Sequence, residues 1–312
     1  METRRLQLLL ELSRLGSMRA VAESLDITTS TVSQQIAALS REIGAVLLEQ
    51  DGRRVRLTPA GQRLAAHAVT ILAAVDAAHL DLDPAAEPAG TVRVAGFATA
   101  IRRSLLPIAA RLATDHPGVR LLIHEHEPAE MTALLATDSL DLALSYDYNL
   151  APAGFPASVE RTPLWATPWS LGVPAGAAPV RPGSAAEVFT HFRRHSWIVN
   201  SRNTADEDVV RTIASLAGFE PEITHRADSL DLVQDLVIAG MGVGLLPSDQ
   251  PVRPGVALIA LRDPDVRLRA ALLVRRGRAD WPPLALVVDL LTATPGAATP
   301  GMPSERSGLA RA

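Results

Sequence analysis

Apolar positions in the first quarter of the chain recur at helical spacing, and after residue 90 short strand-like runs begin to alternate with helical ones. Met18 to Leu25 predicts a short helix with Ala20, Val21 and Leu25 turned inward, followed by a tight turn at Asp26 and Ile27. Thr28 or Thr29 can cap the next helix, because a threonine hydroxyl accepts one of the backbone N–H groups a helix start leaves free. In that helix Val32, Ile36, Leu39 and Ile43 fall on one side, and Gly44 ends it as a glycine C-cap. Thr58 and Pro59 mark another start. The alanine-rich stretch 59–82, without glycine after Gly61, predicts one continuous helix. Its Leu64, Ala68, Ile71, Val75, Ala78 and Leu82 have the alternating spacing of a helix-pairing seam; packing of this face on its own domain is the alternative.

Prolines and glycine across Asp83 to Gly90 break that helix and predict a hinge. Beyond it, Val92 to Phe97, Val119 to His124 and Leu140 to Ser145 read as strands, with Ile101 to Thr114 and Glu130 to Ala136 as the helices between them. A second series has strands at Ser196 to Val199, Ile223 to Arg226 and Val243 to Leu246, and helices at Glu207 to Ala217 and Leu230 to Ala239. Such alternation argues for parallel βαβ units. Two series joined by long crossovers predict two α/β lobes with a cleft between them. The expected organisation is a head over 1–58, a linker helix over 59–82, a hinge over 83–90 and a two-lobed domain over 91–292. Its first lobe takes about 91–163 and 266–292, its second about 164–265. The tail 293–312, rich in Pro, Gly, Ala and Ser, is expected to be disordered.

Composition narrows the chemistry. The 312 residues include no cysteine, which excludes disulfides, thiolate metal sites and a cysteine nucleophile. The net charge of −4 argues against uniform nucleic-acid affinity, yet residues 1–63 carry a small basic excess and the remainder an acidic one. No signal peptide is read at the N-terminus, and no uninterrupted apolar run has the roughly 18 residues of a membrane span, so the expected compartment is the cytoplasm. A nucleophile elbow, a His-Glu-x-x-His pair and a Walker loop are all missing from the sequence, so neither a catalytic set nor a cofactor is expected. His124 and His126 beside Glu125 and Glu127 lack an evident third ligand, and no metal is expected.

The densest signal lies between Met18 and Thr58. Opposite its apolar side, the second helix carries Thr28, Thr29, Ser30, Thr31, Ser33, Gln34 and Gln35, with Arg41 further along, mostly short hydroxyl and amide groups that can reach base edges and phosphates in a major groove. The stretch Asp51-Gly52-Arg53-Arg54-Val55-Arg56-Leu57 reads as a hairpin wing, with Arg53, Arg54 and Arg56 directed to phosphates or the minor groove. Helix, turn, helix and wing together predict a DNA-binding head.

These residues also carry a family likeness. Ala20-Val21-Ala22-Glu23-Ser24-Leu25, Val32-Ser33-Gln34-Gln35-Ile36, Leu39, Gly44, Leu47, Glu49 and Arg53-Arg54-Val55-Arg56-Leu57-Thr58-Pro59-Ala60-Gly61 resemble the LysR-type transcriptional regulators. The likeness is close over residues 1–80, and architecture and length extend it to about residue 290. The chain departs from the family pattern at Thr29-Ser30, where Gln-Pro is usual, and at Leu48-Glu49-Gln50, where Phe-Glu-Arg is usual. The resemblance implies an all-α-type winged helix-turn-helix, a linker helix that pairs two subunits, and a two-lobed α/β effector domain like periplasmic binding proteins. It further implies a homotetramer on promoter DNA.

Ligands of open α/β sheets bind beyond the carboxyl ends of the strands. That rule selects Ala98, Thr99 and Ala100, where free helix N–H groups favour an anion. It also selects Glu127 after the second strand, Ser145 and Tyr146 after the third, and Asn200 and Ser201 in the other lobe. Arg102 and Arg103 would strengthen anion attraction if they pointed inward; a solvent-facing position is the alternative. The family resemblance likewise implies that the loops at Thr99, Ser145-Tyr146 and Asn200-Ser201 line an effector pocket. The expected function is a promoter-binding regulator that responds to a small molecule, with a ligand-independent DNA-binding regulator as the alternative.

Overall fold

The computed structural model describes residues 1–51, 54–83, 87–177 and 183–293. The expected tail from 294, residues 84–86 of the hinge, Arg53 and the side chain of Arg54 lie outside the described residues. The chain forms two compact units. One takes residues 1–145, 155–161 and 272–293, and the other takes 146–154 and 162–271.

The first unit begins with the head. Helices α1 (Thr3–Leu15), α2 (Met18–Ser24) and α3 (Thr29–Ile43) precede a hairpin of β1 (Leu48–Asp51) and β2 (Arg54–Leu57), and α4 (Pro59–Leu82) follows. Leu6, Leu9, Val21, Val32, Ile36, Leu39 and Leu47 form the head core, joined by Ala65, Ala68 and Val69 from α4. Local chemistry sets the boundaries. Thr28 accepts the Thr31 N–H at 3.1 Å to start α3, and Gly44 closes it in a left-handed conformation, φ 72°. Thr58 accepts the Gly61 N–H at 3.1 Å and donates to the Val46 carbonyl at 2.6 Å, so one hydroxyl starts α4 and ties it to the segment between α3 and the hairpin. A Cβ on Gly61 would lie 2.3 Å from the Leu47 carbonyl oxygen, a contact that only glycine avoids here. Two expected core residues are not buried. Leu25 is 36% and Ile43 41% exposed: α2 ends one residue before Leu25, and Ile43 is the last residue of α3.

Helix α4 divides along its length. Ala65, Ala68, Val69 and Ala73 are buried, whereas Ala78 and Leu82 are exposed. The N-terminal half packs on the head, Val75 is half-buried, and Ala78 and Leu82 at the end of the seam are uncovered. By length and composition Pro59–Leu80 also passes for a membrane span. Alanine supplies much of that apolarity, and the buried face belongs to the head core.

The rest of the first unit begins with β3 (Gly90–Gly96). A three-residue α5 (Ala98–Ala100), a π-helical turn (Ile101–Leu105) and α6 (Leu106–Asp115) then follow where one helix was expected. Next come β4 (Val119–Glu125), α7 (Pro128–Ala136) and β5 (Leu142–Tyr148). Strand β3 pairs in parallel with both β4 and β5. Ala95, Met131, Leu135, Leu140 and Ala143 pack as its core.

The second unit takes most of β6 (Val159–Pro174), then α8 (Ala185–His191), β7 (Trp197–Val199), α9 (Ala205–Leu216), β8 (Ile223–Arg226), α10 (Leu230–Ile238), β9 (Val243–Pro247) and β10 (Val256–Ala260). Strand β11 (Val266–Arg275) starts in this unit and ends in the first, which α11 (Pro282–Ala293) completes. Strand β7 runs parallel to β8 and β9, while β6 is antiparallel to β9 and β10. Long strands β6 and β11 occupy stretches expected to be crossovers.

Candidate nucleic-acid interface and sensing loops

The exposed side of α3 presents Thr28, Thr29, Ser30, Ser33 and Gln34 to solvent, with Thr31 half-buried. The Thr28 hydroxyl lies 2.7 Å from that of Ser30 and 2.8 Å from that of Thr31, so the three form one connected group at the helix start. Backbone N–H groups of a first turn lack intrahelical acceptors, which suits this end to a phosphate. Gln35 is placed otherwise than the sequence implied. Its Oε1 accepts from Arg5 Nε at 3.0 Å, and Arg5 also reaches Glu42 at 3.1 Å, so Gln35 braces α3 against α1. On the wing, Arg56 is 66% exposed and pairs across the hairpin with Glu49 at 2.9 Å. A phosphate must compete with that carboxylate for it.

In the first unit, register brings the ends of two strands level with the middle of a third. Gly96 at the end of β3 is opposite both Glu125 of β4 and Leu144 of β5. Residues 97–100 and 126–127 therefore leave the sheet side by side, whereas Ser145 and Tyr146, expected to follow the third strand, lie inside β5, which runs on beside β11 to Tyr148 after β3 has ended. Thr99 is half-buried and Ala100 buried at the opening of the helical run. Ser145 is fully buried, and its Oγ has no hydrogen-bond partner among the described residues. An orphaned hydroxyl is costly in an interior, so this one marks a place where a polar partner would be gained. Glu127, also selected from sequence, has a structural task. Its buried carboxylate accepts the Glu130 N–H, while the Glu130 carboxylate accepts the Glu127 N–H at 3.1 Å, a capping box that starts α7. Arg102 and Arg103 lie in the π-helical turn with their side chains exposed. His126 pairs with Glu130, Nδ1 to Oε2 at 3.0 Å, and lies tilted to His124 with ring centres 6.1 Å apart.

In the second unit, Tyr146 meets the loop after β7. Its hydroxyl accepts from Asn203 Nδ2 at 2.5 Å, and sequence reasoning had not selected Asn203. That loop is internally bonded. Asn200 Oδ1 accepts the N–H groups of Arg202 and Asn203 at 2.7 and 3.1 Å, and the Asn200 N–H donates to Asp206 at 2.7 Å. Ser201 donates through both its N–H and its hydroxyl to Asp228 Oδ1, at 3.1 and 2.8 Å. The Asn-x-x-Asn spacing of 200 and 203 was the available signal, because an asparagine caps the backbone two or three residues on.

Comparison with known proteins gives a consistent result. A family model described as LysR substrate binding domain matches residues 85–295, and one described as bacterial regulatory helix-turn-helix protein, lysR family, matches residues 3–62. A probable hydrogen peroxide-inducible genes activator of Streptomyces viridosporus is 30% identical over 272 residues, 84% of each chain. The transcriptional dual regulator GltC of Bacillus subtilis is 27% identical over 252 residues, 79% of this chain and 81% of its own. Among solved structures, a cysteine-to-aspartate variant of full-length OxyR from Pseudomonas aeruginosa superimposes with a TM-score of 0.72 at 20% identity. It covers 97% of this chain and 99% of its own. Full-length CbnR complexed with its target DNA gives a TM-score of 0.51 at 21% identity, over 93% and 99% of the two chains.

Proposed function

The chain belongs to the LysR family of bacterial transcriptional regulators, and on that premise we propose how its residues divide the work. The exposed row Thr29, Ser30, Ser33 and Gln34 reads bases in a major groove, with Thr28 and Thr31 placing the helix start on a phosphate. The wing arginines Arg53, Arg54 and Arg56 hold the adjoining backbone. Phosphate contacts of this kind position a protein, and base contacts specify the sequence. The C-terminal end of α4, with Ala78 and Leu82 uncovered, pairs with the same helix of a second subunit, and two such dimers form a tetramer. The protein acts in the cytoplasm by binding, without turnover.

In the first unit the effector takes Ala98, Thr99 and Ala100 after β3 together with Ser145 of β5; in the second unit Tyr146, Asn200 and Ser201 are the binding residues proposed from the sequence. The orphaned Ser145 hydroxyl carries this reading. Several relatives are named hydrogen peroxide-inducible activators, but this chain contains no cysteine. Thiol oxidation is therefore unavailable to it, which favours a small molecule held by reversible contacts. Footprinting of the full-length protein on its own upstream region, with and without a library of small carboxylates and amino acids, tests both parts. Protection at one promoter that changes with a compound is the expected result. Protection indifferent to every compound would leave a ligand-independent regulator, and no preference over random duplex would overturn the DNA reading.

A further inference from the structure

A group of charged side chains lies almost out of solvent in the first unit, and one of its members comes from the DNA-binding head. Asp141 is fully buried and takes Arg93 and Arg278 together, with Arg278 Nη2 3.1 Å from Oδ1 and its guanidinium 4.1 Å over the Trp281 ring. All of these belong to the sensing lobe. Asp138 is buried to 1% exposure and is arranged differently. It stands two positions past the end of α7 in a left-handed conformation, φ 55°, while the N–H groups of Asp138 and Ser139 close the helix on Leu135 and Leu134. Glycine is the usual residue at such a place, and an anion at a helix C-terminus opposes the helix dipole. An aspartate there costs stability on both counts, which points to a use for the carboxylate. Its Oδ2 accepts from Arg14 Nε at 2.8 Å and from Arg14 Nη2 as well, across 124 positions of sequence, whereas Oδ1 has no hydrogen-bond partner among the described residues.

We propose that the Arg14–Asp138 ion pair is a latch that docks the DNA-binding head on the first sensing lobe, and that opening it frees the head to reorient. Two observations distinguish a latch from a permanent interface. Beside the pair the surfaces do not close. A cavity of about 470 Å³ separates the end of α1 from the wing and the end of α7, with Leu12, Val55, Gln62 and Thr137 in its walls. Permanent interfaces are packed as densely as protein interiors. The charges also balance on each side. Arg14 keeps Glu11 on its own helix at 2.6 Å, and Asp138 keeps Arg93 and Arg278 as neighbouring cations within the lobe. Separation therefore strands no net charge, the usual penalty for opening a buried pair. The wing strand lines the cavity, so release of the latch changes what supports the DNA-contacting hairpin.

The latch rests on the proposed DNA reading only for its consequence, so its test needs no DNA. Hydrogen exchange by mass spectrometry on the full-length protein compares wild type with Arg14→Gln, Asp138→Asn and the double variant. Asparagine tolerates the left-handed conformation, so backbone strain is not the variable. The expected result is an exchange increase of about tenfold or more in peptides covering both the end of α1 and the end of α7. Peptides from α3 and β3 should keep wild-type protection, and the double variant should exceed neither single, as coupled partners require. Unchanged exchange, a change on the mutated side alone, or additive effects would overturn the latch. If protection is lost everywhere, the pair is a folding element and the proposal also fails. Arg14→Lys, which keeps the charge but not the fork, should then fall between wild type and Arg14→Gln; a lysine variant as loose as glutamine removes the ion pair from the account.

Discussion

The Arg93 guanidinium meets the Asp141 carboxylate through two parallel hydrogen bonds, Nε to Oδ2 at 2.9 Å and Nη2 to Oδ1 at 2.8 Å, and the Arg93 N–H donates to the same Oδ2 at 2.9 Å. One carboxylate thereby joins the backbone of β3 to the turn that leads into β5. Burial works against the charge on Asp141, but the hydrogen bonds and charge of Arg93, with Arg278 adding, hold its carboxyl below the ordinary aspartate value.

Replacing Asp141 by Ala should destabilise the protein by about 3–5 kcal/mol, since Arg93 and Arg278 are left in a buried site without their anion. A depressed carboxyl value in the folded state contributes stability that is complete above the unfolded value of about 3.9 and is lost as pH falls below it. Chemical denaturation from pH 7 down to about pH 3 should therefore show a steeper acid loss for wild type than for Asp141→Asn. Equal slopes would remove Asp141 from the acid response.

Gln34 and Gln35 are adjacent in sequence and should separate in effect. Gln34→Ala should cost about 1–3 kcal/mol of discrimination at one base pair and leave stability unchanged, because its amide faces open solvent. Gln35→Ala should lower stability by about 1 kcal/mol, because it unbraces Arg5. Binding to a set of single-base operator variants, beside thermal melts of both proteins, decides the matter.

Arg56→Ala should weaken binding to all duplexes alike and reduce the slope of log affinity against log salt by about 1. Glu49→Gln should act in the opposite direction, since it releases Arg56 from its partner across the hairpin. Fluorescence anisotropy at several salt concentrations reads both, and an unchanged slope in Arg56→Ala would remove that residue from the phosphate contacts.

Ser145→Ala should leave the ligand-free protein as stable as wild type or slightly more so, because the lost hydroxyl has no hydrogen bond to give up. The same change should reduce any effector-induced rise in melting temperature. A variant that melts lower without ligand and responds fully with it would show that the hydroxyl serves packing only.

Features governed by neighbours in the chain were legible in the sequence. Thr28, the helical period through Val32, Ile36 and Leu39, and Gly44 fix α3 because capping and periodicity act within a few residues. Thr58, Pro59 and Gly61 mark the start of α4 for the same reason. Strand β6 was not legible. Pro163 and Pro168 lie within it, and proline removes the N–H by which a strand is normally held, so the segment reads as a connection until its partners β9 and β10 are known.

What only the tertiary structure decided are relationships between distant positions. Whether Gln35 faced DNA or Arg5, whether Glu127 was free or a helix cap, and which partner Asp138 would take all depend on surfaces far apart in sequence. Local chemistry chooses helices, caps and turns because its forces end within one turn of chain. Pairing of strands and of buried charges is settled by which surfaces the completed fold presses together, and spacing along the chain carries no record of that.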